Sequence, residues 1–400
     1  FDREGSPISE RGGRGARGVR GARDLIEGYD ELSEESKRPL DWLAMAASRG
    51  EPGQRAQILG LPGTGKTWLI EKLRALWRAH MGWRSIVVAV GATAARLSEG
   101  GVTIKAFRTN SRGVRNVPTS LVIIDEVGMC GKKDFEAILT SHSAATIVWI
   151  GDPFQFDPVN DEPFVRSRQY RKCWEDRRVA CFTLKTFRRY TGGMAGRLEA
   201  FIRGITARPC GWREQALEFM LELSARLGAA NGAKPGVRLV ATRAQVREIN
   251  ERAAKEMADA QGVETVKIIT TDPKTRKAVT LSFVLGQTIV VKRNQIDKET
   301  REYTAANGER AILTSIMAGP VTKASVAEIL YDDGTAVKIP SYSVHQNLFD
   351  LPVRSAEGAL TVHAMQGATA KTGSIKIDVA DMKTFPHLFV AMTRAADPEQ

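Results

Sequence analysis

The segment Gly60-Leu61-Pro62-Gly63-Thr64-Gly65-Lys66-Thr67 constrains this chain more than any other. Glycines bracketing four residues let the backbone turn so tightly that its N–H groups point inward at phosphate oxygens. Gly60, Gly63, Thr64 and Gly65 shape that cradle, Lys66 brings a point charge to the β- and γ-phosphates, and the Thr67 hydroxyl suits Mg²⁺. The flanks agree. Ala56-Gln57-Ile58-Leu59 reads as a buried strand, and Trp68-Leu69-Ile70-Glu71-Lys72-Leu73 opens an amphipathic helix whose N-terminus faces the phosphates. A nucleoside triphosphate, with ATP and Mg²⁺ the natural pair, is the expected ligand.

Hydrolysis needs a carboxylate to hold the cation and another to activate water. Leu121-Val122-Ile123-Ile124 is an apolar run ending in Asp125-Glu126, as expected where a buried parallel strand reaches its C-terminal edge. Asp125 is the expected metal-side residue and Glu126 the expected general base. A third apolar strand, Thr146-Ile147-Val148-Trp149-Ile150, runs into Gly151-Asp152-Pro153-Phe154-Gln155. There the Gln155 amide can contact the γ-phosphate or the attacking water.

In order and spacing these segments resemble a superfamily 1 helicase, most closely its RecD-type branch. Val90 to Leu97 and Gly100 to Phe107 look like motif Ia, which implies that Thr93, Ala94, Thr103, Lys105 and Phe107 touch single-stranded nucleic acid. Leu184-Lys185-Thr186-Phe187-Arg188 looks like motif IV, whose arginine reaches the nucleotide. Leu239-Val240-Ala241-Thr242-Arg243 is similar to the start of the second motor domain. Leu360 to Thr369 looks like motif V, and Val390 to Ala395 like motif VI with Arg394 as an arginine finger. The resemblance implies strand contacts at Thr242, Thr361 and His363, a nucleotide contact at Gly367 and 5′→3′ movement. A physical reason supports the late arginines: a P-loop domain alone leaves charge on the γ-phosphate poorly compensated. Arg188 and Arg394, both beyond the first domain, can supply the compensation and tie catalysis to domain closure.

The chain also departs from that family. Where many relatives carry an adenine-reading glutamine, Leu32 to Leu40 places Ser36, which opens the site to triphosphates other than ATP. Asp152-Pro153 and Gln366-Gly367-Ala368-Thr369 resemble the helicases of positive-strand RNA virus replicases. Leu285 to Val291 and Ala306 to Arg310 look instead like the small SH3-like barrel of the RecD branch.

Composition suits work on a polyanion. Lys and Arg number 58 against 46 Asp and Glu, a formal charge of +12, which favours salt-dependent, sequence-blind phosphate binding. Arginines at 11, 14, 17, 20 and 23 stand among glycines in a segment too poor in apolar residues to build a core, so residues 1–30 are expected to be a disordered tail that can hold single strands. The chain starts at Phe1, which suggests a processed product, a domain or a trimmed piece. No export signal and no membrane span is evident. Cys130, Cys173, Cys181 and Cys210 show no metal or disulfide spacing, and only His363 of five histidines sits in a motif.

The expected fold class is α/β: two RecA-like P-loop motor domains, a small all-β SH3-like insertion in the second, and the basic tail. The expected boundaries are 1–30 for the tail, 31–170 for the first domain, 171–264 and 349–400 for the two parts of the second, and 265–348 for the insertion, with helices at Met194–Arg203 and Gln245–Ala260. The expected activity is NTP-driven movement on single strands and unwinding at duplex junctions, of DNA or RNA, by a soluble intracellular monomer working beside replication or repair proteins. Two other readings stay open. One is the helicase of a viral RNA replicase in the host cytoplasm, with an RNA 5′-triphosphatase activity at the same site. The other is a nucleic-acid-binding P-loop ATPase that does not translocate.

Overall fold

The computed structural model describes residues 21–82, 85–90, 101–109, 116–118, 120–158, 161–176, 179–189, 195–207, 210–227, 236–271, 278–291, 295–296, 303–305, 310–322, 325–331, 333–340, 358–365, 374–377 and 382–393. Its first half is built on six parallel strands: β1 Arg55–Gly60, β2 Ser85–Ala89, β3 Val102–Thr103, β4 Leu121–Asp125, β5 Thr146–Gly151 and β6 Val179–Leu184. They lie in the order β3-β2-β4-β5-β1-β6. The register sets Leu59 beside Gly151 and Thr183, and Ala89 beside Asp125. All the strands therefore deliver their C-terminal residues to one edge.

Both faces of this sheet are covered, which explains why its strands are continuous apolar runs. Alternate side chains serve alternate faces. Ile58, Val87, Leu121, Ile123, Val148 and Ile150 meet Leu40 and Leu43 of the helix Glu34–Arg49 and Leu69, Leu73, Leu76 and Trp77 of the helix Lys66–Met81. Val88, Val122, Ile124, Ile147 and Trp149 meet Phe135 and Ile138 of the helix Lys132–Ser141. Each fully buried large apolar side chain contributes about 1.5–3 kcal/mol.

The first thirty residues are not all tail. The helix Ala22–Leu25 and the 3-10 turn Tyr29–Glu31 are ordered structure, against the expectation of disorder. The reason is hydrophobic: Ala22 and Ile26 are buried in the same cluster as Leu40 and Leu73, with Leu25, Tyr29 and Leu32 packed against it. Residues 1–20, which carry most of the arginine–glycine repeat, lie outside the described residues.

Downstream, β7 Gly236–Val240 lies between two parallel neighbours from the end of the chain, β17 Gly358–Thr361 and β18 Ser374–Ile377. The helix Arg243–Gln261 joins this sheet through Asn250, whose amide donates to Ala359 O at 3.1 Å and accepts from Ala359 N at 2.7 Å. The helix Ala195–Ala207 appears where one was expected, and a further helix, Trp212–Leu227, was not anticipated.

Between β7 and β17, beyond that helix, the described elements are all strands. They are β8 Val266–Thr271, β9 Ala278–Phe283, β10 Thr288–Val290, β11 Gln295–Ile296, β12 Tyr303–Ala305, β13 Arg310–Ile316, β14 Gly319–Pro320, β15 Val326–Leu330 and β16 Ala336–Pro340. The order β10-β13-β15-β16 forms an antiparallel sheet, and β14-β8-β9 a smaller mixed one, in which β14 runs parallel to β8 and β9 antiparallel to it. The β15–β16 hairpin turns at Gly334, with φ 86°. Of the barrel-like segment Ala306 to Arg310, residues 306–309 lie outside the described residues.

One polar pair sits inside the first core. Fully buried Trp149 donates from Nε1 to Gln57 Oε1 at 2.9 Å, and the Tyr170 hydroxyl reaches the same oxygen at 3.2 Å. Trp149→Phe removes the nearer donor and some of the packing against Phe135, so it should lower unfolding free energy by about 1–3 kcal/mol. Chemical denaturation followed by circular dichroism measures this.

Candidate nucleotide and strand site

The phosphate loop lies between β1 and the Lys66–Met81 helix. Gly63 and Gly65 have φ of 83° and 87°, a left-handed backbone that side chains rarely adopt. Gly60 is held to glycine by space, since a Cβ there would lie 2.5 Å from Thr64 Oγ1 and 3.1 Å from Leu184 Cβ. The Thr64 hydroxyl donates to Leu61 O at 2.8 Å and closes the loop. Lys66 Nζ donates to the carbonyls of Gly60, at 2.8 Å, and Leu61, at 3.0 Å. Burial pushes its ammonium below the usual range, while the Asp152, Glu126 and Asp125 carboxylates oppose that shift. Thr67 is exposed on the first turn.

The two acids follow β4 at the same edge. Burial, reinforced by the Glu126 charge, pushes the Asp125 carboxyl up to about 7, although the Glu126 N–H, 2.8 Å from Oδ1, and Lys66 pull the other way. Glu126 is the one described non-glycine residue with positive φ, at 51°. Its Oε2 is buried and accepts no hydrogen bond. A buried carboxylate oxygen without a protein donor suits a water molecule held against a phosphate. Across the edge, Asp152 Oδ1 accepts from Phe154 N at 2.9 Å, and Gln155 is buried beside them.

Arg188 meets the loop from behind. The main-chain N–H groups of Arg188 and Arg189 both donate to Gly63 O, at 2.7 and 3.1 Å. The Arg188 guanidinium donates to Ser33 Oγ at 3.1 Å and lies 5.6 Å from the centroid of exposed Trp68. Ser36, expected at the place of the adenine-reading glutamine, is buried, with its hydroxyl 3.1 Å from Ser33 Oγ.

Two sets of contacts that the sequence did not reveal complete the site. Glu35 accepts from Lys185 N at 2.7 Å and Thr186 N at 2.8 Å and so ties the helix Glu34–Arg49 to the strand end that carries Arg188. The second set comes from the loop after β5, where the residues on either side of Gln155 reach the second half of the chain. Phe156 stacks on His363 at 3.6 Å and meets His387 edge-on at 5.0 Å, and Phe154 packs against Phe385 and Phe389.

The strand-contact expectations divide. Phe107 is corrected: it is buried with Ile104 in the first core, its ring 4.9 Å from that of His142, and so cannot touch a strand. The helix Ile104–Thr109 turns positions 104 and 107 to the same inward face. Lys105 is exposed, and Thr103 Oγ1 accepts from Ala106 N at 3.2 Å. The Thr242 hydroxyl is committed to the N-terminus of the helix Arg243–Gln261, where it pairs with Gln245. Thr361 is buried at the end of β17. Thr93, Ala94, Gly367 and Arg394 lie outside the described residues. Arg394 directly follows Thr393, whose carbonyl accepts from Arg189 Nη1 at 3.0 Å. Among the described residues no helix is long and apolar enough to cross a membrane.

Glu35 gives the site a pH signature. Burial alone would raise its carboxyl, but the Lys185 and Thr186 donors and the Arg188 charge outweigh burial and hold it below its ordinary value of 4.5. A carboxyl lowered by folding stabilises the native state above that value, and the contribution is lost as pH falls through the folded value. Glu35→Gln should therefore destabilise the protein by about 1 kcal/mol at neutral pH. Thermal unfolding of both proteins as a function of pH should show the difference shrinking below the ordinary value.

Comparisons with known proteins agree with this architecture. The family model described as AAA domain matches residues 43–195. The Pif1 helicase from Bacteroides, solved with ADP-AlF3 and ssDNA, is 18% identical with a TM-score of 0.59, over 92% of this chain and 91% of that one. The Pif1 helicase from Candida albicans is likewise 18% identical with a TM-score of 0.59, over 92% and 93%. A structure of DNA unwinding at forked dsDNA by two coordinating Pif1 helicases is 19% identical with a TM-score of 0.56, over 92% of each chain. No curated protein matches this chain in sequence. The chain shares the fold of these Pif1 helicase structures.

Proposed function

We propose that this chain is an ATP-driven helicase that moves 5′→3′ along single-stranded nucleic acid and opens duplex at junctions. The observation that carries the reading is the seating of the second half's Thr393 on Arg189, whose own N–H holds Gly63 of the phosphate loop. Such an arrangement lets nucleotide state and domain closure control each other.

In this reading Lys66 leaves the carbonyls of Gly60 and Leu61 for the β- and γ-phosphates. Glu126 orients the attacking water and takes its proton, and Gln155 contacts that water or the γ-phosphate. Arg188 and Arg394 balance the charge that develops on the transferred group. Phe154 and Phe156 flank Gln155 and carry its movement to His363 and to the helix Phe385–Met392. Small openings and closings would then step the strand, with exposed Lys105 among its contacts.

The residues also fit Mg²⁺. Thr67 offers an exposed hydroxyl, and a nearby cation would favour the ionised form of Asp125, whose carboxyl burial pushes up. The described residues contain no cluster of three or more His, Cys, Asp or Glu able to hold a metal alone, so phosphates and water would complete the shell. When bound, the ion would shield the charge of the β- and γ-phosphates.

DNA is the favoured strand, because the similar structures were solved with ssDNA or describe unwinding of forked dsDNA. The protein would act inside the cell as a monomer, beside replication or repair proteins. Ser36, committed to Ser33, offers no amide to read adenine, which favours tolerance of other nucleoside triphosphates.

Steady-state ATP hydrolysis with and without matched single-stranded DNA or RNA tests the proposal. Stimulation of about tenfold or more, equivalent to about 1.4 kcal/mol of coupling, is expected with DNA. Greater stimulation by RNA, with phosphate release from RNA 5′ ends, would favour the viral replicase reading, and indifference to both would sink translocation. Lys66→Ala should abolish turnover while fluorescence anisotropy shows single-strand binding within about twofold of wild type. Phe156→Ala, which removes the stack on His363, should lower the ratio of stimulated to basal hydrolysis.

A further inference from the structure

We infer that Arg189 is a positioning residue: its side chain latches Thr393, at the end of the helix Phe385–Met392, to the phosphate loop and so ties the second domain to the nucleotide site. The inference rests on the helicase reading above and adds a residue to it.

Arg189 is engaged at both ends. Its main-chain N–H donates to Gly63 O at 3.1 Å, beside the 2.7 Å bond from Arg188. Its side chain crosses to the second half of the chain and donates from Nη1 to Thr393 O at 3.0 Å. Thr393 is fully buried at the C-cap of the helix Phe385–Met392, and its hydroxyl donates back to Phe389 O at 2.9 Å. A helix C-terminus carries partial negative charge on carbonyls that lack intrahelical partners, and a guanidinium is a strong donor for them. The contact is therefore charge-assisted, and it holds the last residue of the segment that the structure describes.

The Arg189 charge is also felt at the nucleotide side, where it opposes protonation of Lys66. A triphosphate would relieve that repulsion by neutralising both cations. The latch is then easiest to keep closed when nucleotide is present and hardest once phosphate has left. Arg188 lies differently, with its guanidinium turned to Ser33 and Trp68 on the side of the first domain. The neighbouring arginine side chains thus diverge, one staying with the first domain and the other crossing to the opposite domain.

The test compares wild type with Arg189→Ala and Arg189→Lys by two readouts. In hydrogen exchange with a non-hydrolysable ATP analogue, amides of residues 385–393 should exchange about tenfold faster in R189A and near the wild-type rate in R189K, while residues 66–81 keep their protection. In steady-state hydrolysis with single-stranded DNA, R189A should lose about tenfold or more in kcat with KM within about twofold, and R189K should recover most of it. Wild-type exchange at 385–393 together with wild-type kcat in R189A would overturn the inference. So would an equal loss of protection across both segments that lysine does not rescue, because that marks a general packing role. A wild-type protein whose hydrolysis ignores nucleic acid would refute the helicase reading, and the exchange readout would still decide the latch.

Discussion

The structure depends on the parallel pairing of β1 with β5 on one side and β6 on the other. That register brings the loop after Gly60, the loop after Gly151 and the segment after Leu184 to one edge, where helix N-termini and main-chain N–H groups also converge. An antiparallel arrangement would send half of these loops to the opposite edge. The chemistry assembled here, two acids, a lysine, an amide and an arginine from four separate strand ends, follows from that shared direction.

What the sequence made legible were features written in consecutive residues. The Gly60–Thr67 loop, the apolar runs before Asp125 and Gly151, and the Arg243–Gln261 helix each carry a local period or a spacing that has one economical fold. Even where the local signal was read correctly, its use could mislead. The segment that includes Phe107 was placed near a strand path, yet helical geometry turns the ring into the core beside His142. The ordered turn at residues 22–31 was masked by the arginine–glycine stretch before it, although Ile26 and Tyr29 carried enough apolar surface to dock.

The contacts that link the parts were not legible, because each joins residues far apart in sequence through a single side chain. Glu35 grips the main-chain N–H groups of Lys185 and Thr186, which every residue except proline possesses. Arg189 finds a carbonyl, which every residue possesses. Phe154 and Phe156 read as ordinary apolar neighbours of Gln155 until the second half of the chain is folded against them. Side-chain-to-backbone bonds and interdomain stacks leave no periodic trace. The sequence therefore announces the site's chemistry more clearly than its linkage.

The left-handed backbone at Glu126 has a further consequence. An L-residue with a full side chain held there costs about 1–2 kcal/mol relative to an ordinary conformation, and glycine would not incur that strain. The same position leaves a buried carboxylate oxygen without a donor, a second unfavourable term. A chain selected for heat resistance alone would drift toward glycine at this position and become sturdier and idle. Stability and turnover are thus set against each other at one residue, and laboratory evolution toward thermostability would have to be screened for hydrolysis from its first round.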